Sequence, residues 1–382
     1  MVRMSDVYLD INGSTPVHPA VLDAYVESTR ATCGNASASH PAGLLAQEHI
    51  ARARAAAASA LGASSDEIWF TSGGTESNNW ALKGLFSPGQ GGRLVTTAIE
   101  HKSVLRTADA LARAGVELEV VAVGGSGRVE VADIERALRA GTRVVSLMVA
   151  NNETGVLQPV REVAALCRAR GVLLHCDAVA AIGKLPIDVR DLGCDLLSIS
   201  GHKLYAPKGC GVLYVRRGVA LAPLIDGCGQ QCGMRSGTEN TAAVAALGRA
   251  FELLAAGSFD SARSPELRER LWNGIRALEP RALRNGEGPW LPNTLSVTFP
   301  GRTGAELQRA LGAQGVHCAA GSAATGSAPS HVLMAMGKGE AHARATLRFS
   351  LGHSTRADDI ERALAALASA LREAPQLQGA HA

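Results

Sequence analysis

The residue best placed for chemistry is a lysine in the run LLSISGHKLYAPKGCGVLYV, Leu196 to Val215. An apolar β-like stretch ends at Ser200-Gly201-His202-Lys203, and a second one, Val212 to Val215, follows a turn containing glycine and proline. A lysine just past a buried strand sits at a cleft. Burial there lowers its pKa and frees its amine for nucleophilic or base work. Three further groups occupy comparable positions. TSGGTES, Thr71 to Ser77, is a Gly-Gly turn opening a helix, and its free N–H groups and helix dipole favour a phosphate. Glu100-His101 follows the strand-like Leu94 to Ala98 and places an imidazole at its mouth. HCDA, His175 to Ala178, ends a buried strand on Asp177, a carboxylate that costs several kcal/mol unless it meets a cation.

Each feature alone has an ordinary structural explanation: Gly-Gly turns are common, lone histidines usually pack, and a lysine often caps a strand. The ordered set is more specific. A phosphate cradle (Thr71 to Ser77), a ring stacker (His101), a carboxylate (Asp177) and an amine (Lys203) together describe a pocket for pyridoxal 5′-phosphate (PLP). There the lysine forms a Schiff base and the acid keeps the pyridine nitrogen protonated as an electron sink.

These groups need a scaffold that presents strand ends side by side. Strands and helices alternate along most of the 382 residues, the mark of an α/β fold with a largely parallel sheet. Helices are predicted over 44–61, 75–85, 103–114 and 240–254, and strands over 67–71, 94–98, 144–149 and 172–176. In such sheets ligands bind at the carboxyl ends of strands, where all four features fall. A polar stretch near Gly257 to Ser264 marks a boundary. The organisation read from this is an N-terminal segment (1–14) packed with a small domain, a large domain (15–256) and a smaller α+β C-terminal domain (257–382). In the last, strands are predicted over 294–299, 316–319 and 347–350, and Ser354-Thr355 sits in capping position for a helix over 357–371.

Composition narrows the function classes. A formal net charge of +3 and 4% aromatic residues give no footprint for nucleic acid, and no run of about 18 apolar residues suggests a membrane span. The N-terminus lacks the apolar core of a signal peptide, so a cytoplasmic protein is expected. The eight cysteines include no CxxC pair, and Cys228 and Cys232 have no second ligand pair nearby. No metal site is expected.

The motifs FTSGGTESNN, EHKSVL, NNETGVLQP, DAVAAIGK, SGHKLYAPKG, GMRSGTEN and RFSLGHST make the chain similar to the cysteine desulfurase and selenocysteine lyase family, class V aminotransferases of PLP fold type I. The similarity runs from Tyr8 to the RFSLGHST motif, essentially the whole chain. The resemblance implies that Lys203 carries the cofactor and moves the Cα proton, and that Asp177 pairs with the pyridinium nitrogen. It implies that His101 stacks on the ring and handles leaving-group protons, and that Gly74, Thr75, Ser200 and His202 hold the phosphate. Asn152 then lies against cofactor and substrate, and Arg348 clamps the substrate carboxylate. Thr238 reaches the phosphate of a neighbouring subunit, which implies a homodimer.

Departures from the family bear on the reaction. The family's loop cysteine, which takes the substrate sulfur as a persulfide, is replaced by Ala324 in a shorter stretch, GSAATGSAPSH. An engineered exchange explains the alanine but not the shortening, which favours natural divergence. Cys318, in VHCAA, reads as a buried strand cysteine. Ala180 stands where the family has a glutamine bonding the cofactor's phenolic oxygen. His353 and Gly13-Ser14 replace other residues expected close to the substrate. The resulting expectation is a C–S lyase acting by β-elimination on cysteine or an S-substituted cysteine, releasing a thiol or sulfide with pyruvate and ammonia. The alternative is a cysteine desulfurase that gives alanine and passes sulfur to an acceptor protein for iron–sulfur clusters or thiolation.

Overall fold

The computed structural model describes residues 6–86, 91–259, 262–321 and 328–373. Among them, seven strands form one sheet: β1 (Ile68–Thr71), β2 (Arg93–Thr97), β3 (Glu117–Val121), β4 (Thr142–Ser146), β5 (Leu173–Asp177), β6 (Leu196–Ser200) and β7 (Gly211–Val215). Their order is β1-β7-β6-β5-β4-β2-β3, and only β7 runs antiparallel to its neighbours. The mostly parallel, helix-flanked sheet expected from the alternating pattern is therefore the observed one.

A strand buried on both faces must be apolar throughout, because alternate side chains point to opposite sides. Leu94, Val144, Leu196 and Leu213 point into one apolar cluster, where Trp80, Leu82, Val104 and Leu111 of the helices Gly74–Lys83 and Lys102–Arg113 meet them. Val95, Val145, Leu174, Leu197 and Val212 point the other way, against Pro41–Leu61, Val160–Ala169 and Thr241–Ala255. Trp80 is fully buried, and truncating a side chain of that size costs about 3–5 kcal/mol. The helix that begins the phosphate-type turn is thus fixed to the sheet by its own packing.

A second core gathers on an antiparallel four-stranded sheet, with Thr346–Ser350 paired to Thr294–Thr298 and to Ala319–Ala320. Leu347 and Phe349 point into this core with Leu295, Val297, Leu271 and Ile360, so the intervening Arg348 faces the opposite side. The strand expected over 316–319 is split. Val316–His317 pairs in parallel with Val7–Tyr8, whereas Ala319–Ala320 joins the four-stranded sheet, and Cys318 lies buried at the change. The predicted cap at Ser354-Thr355 also differs. The Thr355 hydroxyl accepts from the Gly352 N–H at 2.9 Å, and the Arg356 N–H before helix Ala357–Glu373 goes to Asp359 at 2.9 Å.

Candidate active site

One cavity of about 340 Å³ opens at the carboxyl ends of β4, β5 and β6. It is lined by Gly74, Thr75, His101, Asn152, Asp177, Ser200, His202, Lys203 and Arg348, so nine of the ten residues singled out in the sequence share it. The tenth, Thr238, is exposed and does not line it. Ala324 lies outside the described residues.

The turn between β1 and the helix Gly74–Lys83 approaches its neighbours closely. Gly73 has φ of +148°, and a Cβ on Gly74 would lie 2.7 Å from Val179 Cγ2. No side chain among the described residues caps this helix start. Its first N–H groups are therefore open to an anion, with the Thr75, Ser200 and His202 side chains beside them. His202 is held by the Ser14 hydroxyl at 3.2 Å, and burial keeps its pKa down to about 4, so it stays neutral. Lys203 follows β6 in a single 3₁₀ turn. Its Nζ donates to the carbonyl oxygens of Asn12 and, at 2.7 Å, Gly13. Burial, helped by the nearby Arg348, brings its pKa down to about 8.

Asp177 closes β5 as a buried carboxylate. Oδ1 accepts the Val179 N–H at 2.9 Å and Oδ2 accepts Asn78 Nδ2 at 2.7 Å. The same Asn78 nitrogen donates to the Ser103 hydroxyl at 2.8 Å, and Ser103 Oγ lies 2.7 Å from His101 Nδ1. The Ser103 N–H also donates to that Nδ1, at 3.1 Å. With Ser103 Oγ receiving from Asn78, its own hydrogen goes to His101, so Nδ1 is an acceptor and the ring proton sits on Nε2. Burial holds the His101 pKa below the usual histidine value, against the pull of Asp177, so the ring is neutral.

Arg348 is 4% exposed; its Nη2 contacts Asp10 Oδ1 at 2.7 Å and its Nη1 donates to the Asn152 carbonyl at 2.9 Å. Its Nε is buried without a partner among the described residues. The fork is therefore positioned by a carboxylate and a carbonyl, with capacity left for an anion.

One expectation about the surroundings needs correction. His353 does not line the cavity: it stacks on Tyr205 at 4.5 Å between ring centroids, with Phe259 at 5.7 Å. An imidazole is flat and fits that aromatic stack. His175 of the HCDA motif is a core residue, spanning the hydroxyls of Ser146 and Ser198 at 2.9 Å each. Cys318 matches its sequence reading: it is buried, and burial pushes its thiol up to about 12. Asn78, Ser103 and Lys184 were not singled out from sequence. Asn78 stands four residues after Gly74, on the same helix face, and that spacing was the available signal.

The donor set fits PLP: one cavity holds an open helix start for the phosphate, a buried carboxylate for the ring nitrogen and a lysine amine of lowered pKa. Fold and site together define a PLP-dependent enzyme of the α/β class. The class-V aminotransferase model matches residues 7–363. Cysteine desulfurase IscS of Methanosarcina thermophila is 40% identical over 363 residues, covering 94% of this chain and 90% of that relative. Among solved structures, a NifS-like protein superposes with a TM-score of 0.90 at 36% identity, covering 96% of this chain and 99% of that one. One described as SspA in complex with cysteine superposes with 0.81 at 37% identity, covering 90% and 98%. The chain belongs to the cysteine desulfurase family of the class-V aminotransferases.

Proposed function

We propose that this protein is a desulfurase, which cleaves the Cβ–S bond of cysteine, passes the sulfur to an external thiol and leaves alanine. The observation that carries this reading is the agreement between the cavity's residues and relatives that are named cysteine desulfurases over nearly their full length. Bound PLP supplies an electron sink for the bond-breaking at Cα and Cβ. Arg348 binds the substrate carboxylate, and Lys203, with its amine near neutrality, moves the Cα proton. Asp177 holds a proton at the ring nitrogen. His101, carrying its hydrogen on Nε2, faces the cavity as a donor.

The sulfur acceptor is the unusual part. Ala324 supplies no thiol, and Cys318 is buried with its pKa up to about 12. An external thiolate therefore forms the S–S bond as Cβ–S breaks, Cβ takes up a proton, and the sum is cysteine plus RSH giving alanine plus RSSH. The acceptor thiol belongs to a partner protein or a small thiol. The absence of a loop cysteine also favours a second reading, β-elimination, in which cysteine plus water gives pyruvate, ammonia and sulfide, and an S-substituted cysteine gives the corresponding thiol.

Incubation of the PLP-loaded protein with cysteine and dithiothreitol, followed by quantification of alanine and pyruvate, separates the two. Alanine at multiple turnovers supports desulfuration, and pyruvate as the main product replaces it with elimination.

The organisation proposed with this function is a large PLP-binding domain (15–256), a small domain (257–382) and residues 1–14 packed on the latter. A homodimer in which exposed Thr238 reaches the neighbour's phosphate site completes it. The cytoplasm is the compartment consistent with it: no helix among the described residues is long and apolar enough to cross a membrane.

A further inference from the structure

Lys203 shares its cavity with another amine, that of Lys184. Lys184 stands on the turn that follows Asp177, where the Ile182 N–H bonds the Ala178 carbonyl at 2.9 Å and the Leu185 N–H bonds the Ala181 carbonyl at 3.1 Å. Lys184 and Ala180 both line the cavity.

The charged groups of the cavity have contacts of their own. Asp177 receives Asn78 and Val179, Arg348 is paired with Asp10 and Asn152, and the Lys203 amine rests on the Asn12 and Gly13 carbonyls. Among the described residues Lys184 Nζ has a single hydrogen bond, to the Ile182 carbonyl at 3.4 Å, the long limit for a group that carries three donors. Among the described residues no carboxylate pairs with it. Burial brings its pKa down to about 7, and the charges of Lys203 and Arg348 act in the same direction. An ammonium that loses hydration without gaining a counter-charge is poised to take an anion.

We propose that Lys184 is a second anion-binding group of the active-site cavity, holding either the ionised ring oxygen of the cofactor or the carboxylate of the substrate. The proposal rests on the PLP-dependent reading of the cavity and extends it to a residue outside the phosphate cradle, the ring-nitrogen carboxylate and the Arg348 clamp.

The test uses the full chain loaded with PLP as wild type, Lys184→Gln and Lys184→Arg, with melting curves to verify folding. Lys184→Met takes the place of the glutamine variant if that one does not fold. A pH titration of the visible absorption of the lysine-linked cofactor, without substrate, reads the ring oxygen. Removing a neighbouring cation favours the protonated linkage, so the midpoint rises by about one pH unit in the glutamine variant and returns towards wild type with arginine. If the anion is the substrate carboxylate, that midpoint stays fixed. The Kd of cysteine then rises about tenfold while that of cysteamine, which lacks the carboxylate, does not change. A midpoint and a cysteine Kd both within twofold of wild type would overturn the proposal. Lys203→Ala serves as the control: retention of the visible band in that variant would count against Lys203 as the attachment point, separately from Lys184.

Discussion

Asn78 Nδ2 sits 2.7 Å from Asp177 Oδ2 and 2.8 Å from Ser103 Oγ, so one amide nitrogen joins the buried Asp177 carboxylate to the residue that orients His101. Asn78 is 1% exposed, and water cannot replace it easily. Asn78→Ala leaves the Asp177 carboxylate short of a donor and frees the Ser103 hydroxyl to turn. A loss of 1–3 kcal/mol is typical of a buried polar group left unpaired, so kcat/KM should fall by about 10- to 100-fold. Steady-state kinetics checks the fall, and a 15N spectrum of labelled histidine checks the tautomer. A ring proton on Nδ1 in the wild type would refute the assigned network.

The amine of Lys203 has its pKa down to about 8, chiefly through burial and then through Arg348. The unprotonated amine is the form that would bond to the aldehyde of PLP. The rate at which the cofactor-free protein takes up PLP should therefore rise with pH, with a midpoint near 8 and a plateau above it. A stopped-flow series in absorbance measures this, and a rate still climbing tenfold per unit above about pH 9 would contradict the lowered pKa.

Glu100 is fully buried, accepting from the Met148 N–H at 2.9 Å and the Thr97 hydroxyl at 3.0 Å, and burial raises its pKa to about 8. In the unfolded chain the group releases its proton near 4.5. Unfolding between these values sheds a proton, so stability falls as pH rises across that window, by up to about 1.4 kcal/mol per unit. Glu100→Gln lacks this slope. Denaturant midpoints of the two proteins should diverge in favour of the variant from about pH 5 to about pH 8, and a constant difference would exclude a raised pKa.

Arg348 is aimed by Asp10 at 2.7 Å and by the Asn152 carbonyl at 2.9 Å. Lysine cannot satisfy both and still meet a carboxylate in a two-pronged fashion. Arg348→Lys should raise KM for cysteine about tenfold or more, with a smaller change in kcat. Asp10→Asn, which keeps the size but removes the charge, should give a weaker effect in the same direction. Unchanged KM in both variants would remove Arg348 from substrate binding.

Ala324 offers a direct check of the external-thiol step. Installing a thiol with Ala324→Cys should raise the alanine-forming rate with low concentrations of external thiol, because the first acceptor is then attached to the chain. Mass spectrometry should find one added sulfur on that residue. No gain in alanine would mean that the segment does not deliver position 324 to the substrate.

Much of this protein was determined by local chemistry that a sequence displays. Apolar runs ending in Asp177 and Ser200, a glycine pair before a helix, and a histidine just past a strand each specify where a strand stops and a polar group begins. In a parallel sheet all those stops fall at one edge, so the pocket followed from the pattern. The tertiary structure decided what spacing does not encode. It split the run around Cys318 between two sheets, because Val316–His317 finds Val7–Tyr8 whereas Ala319–Ala320 finds Thr346–Ser350. It moved His353 from the substrate into an aromatic stack with Tyr205, since contacts between residues 148 positions apart leave no periodic trace. It also brought Asn78 to Asp177, 99 residues apart, and left Lys184 without a carboxylate partner among the described residues. Hydrogen-bond partnership depends on which side chains meet across the packed layers, and only the folded chain sets that.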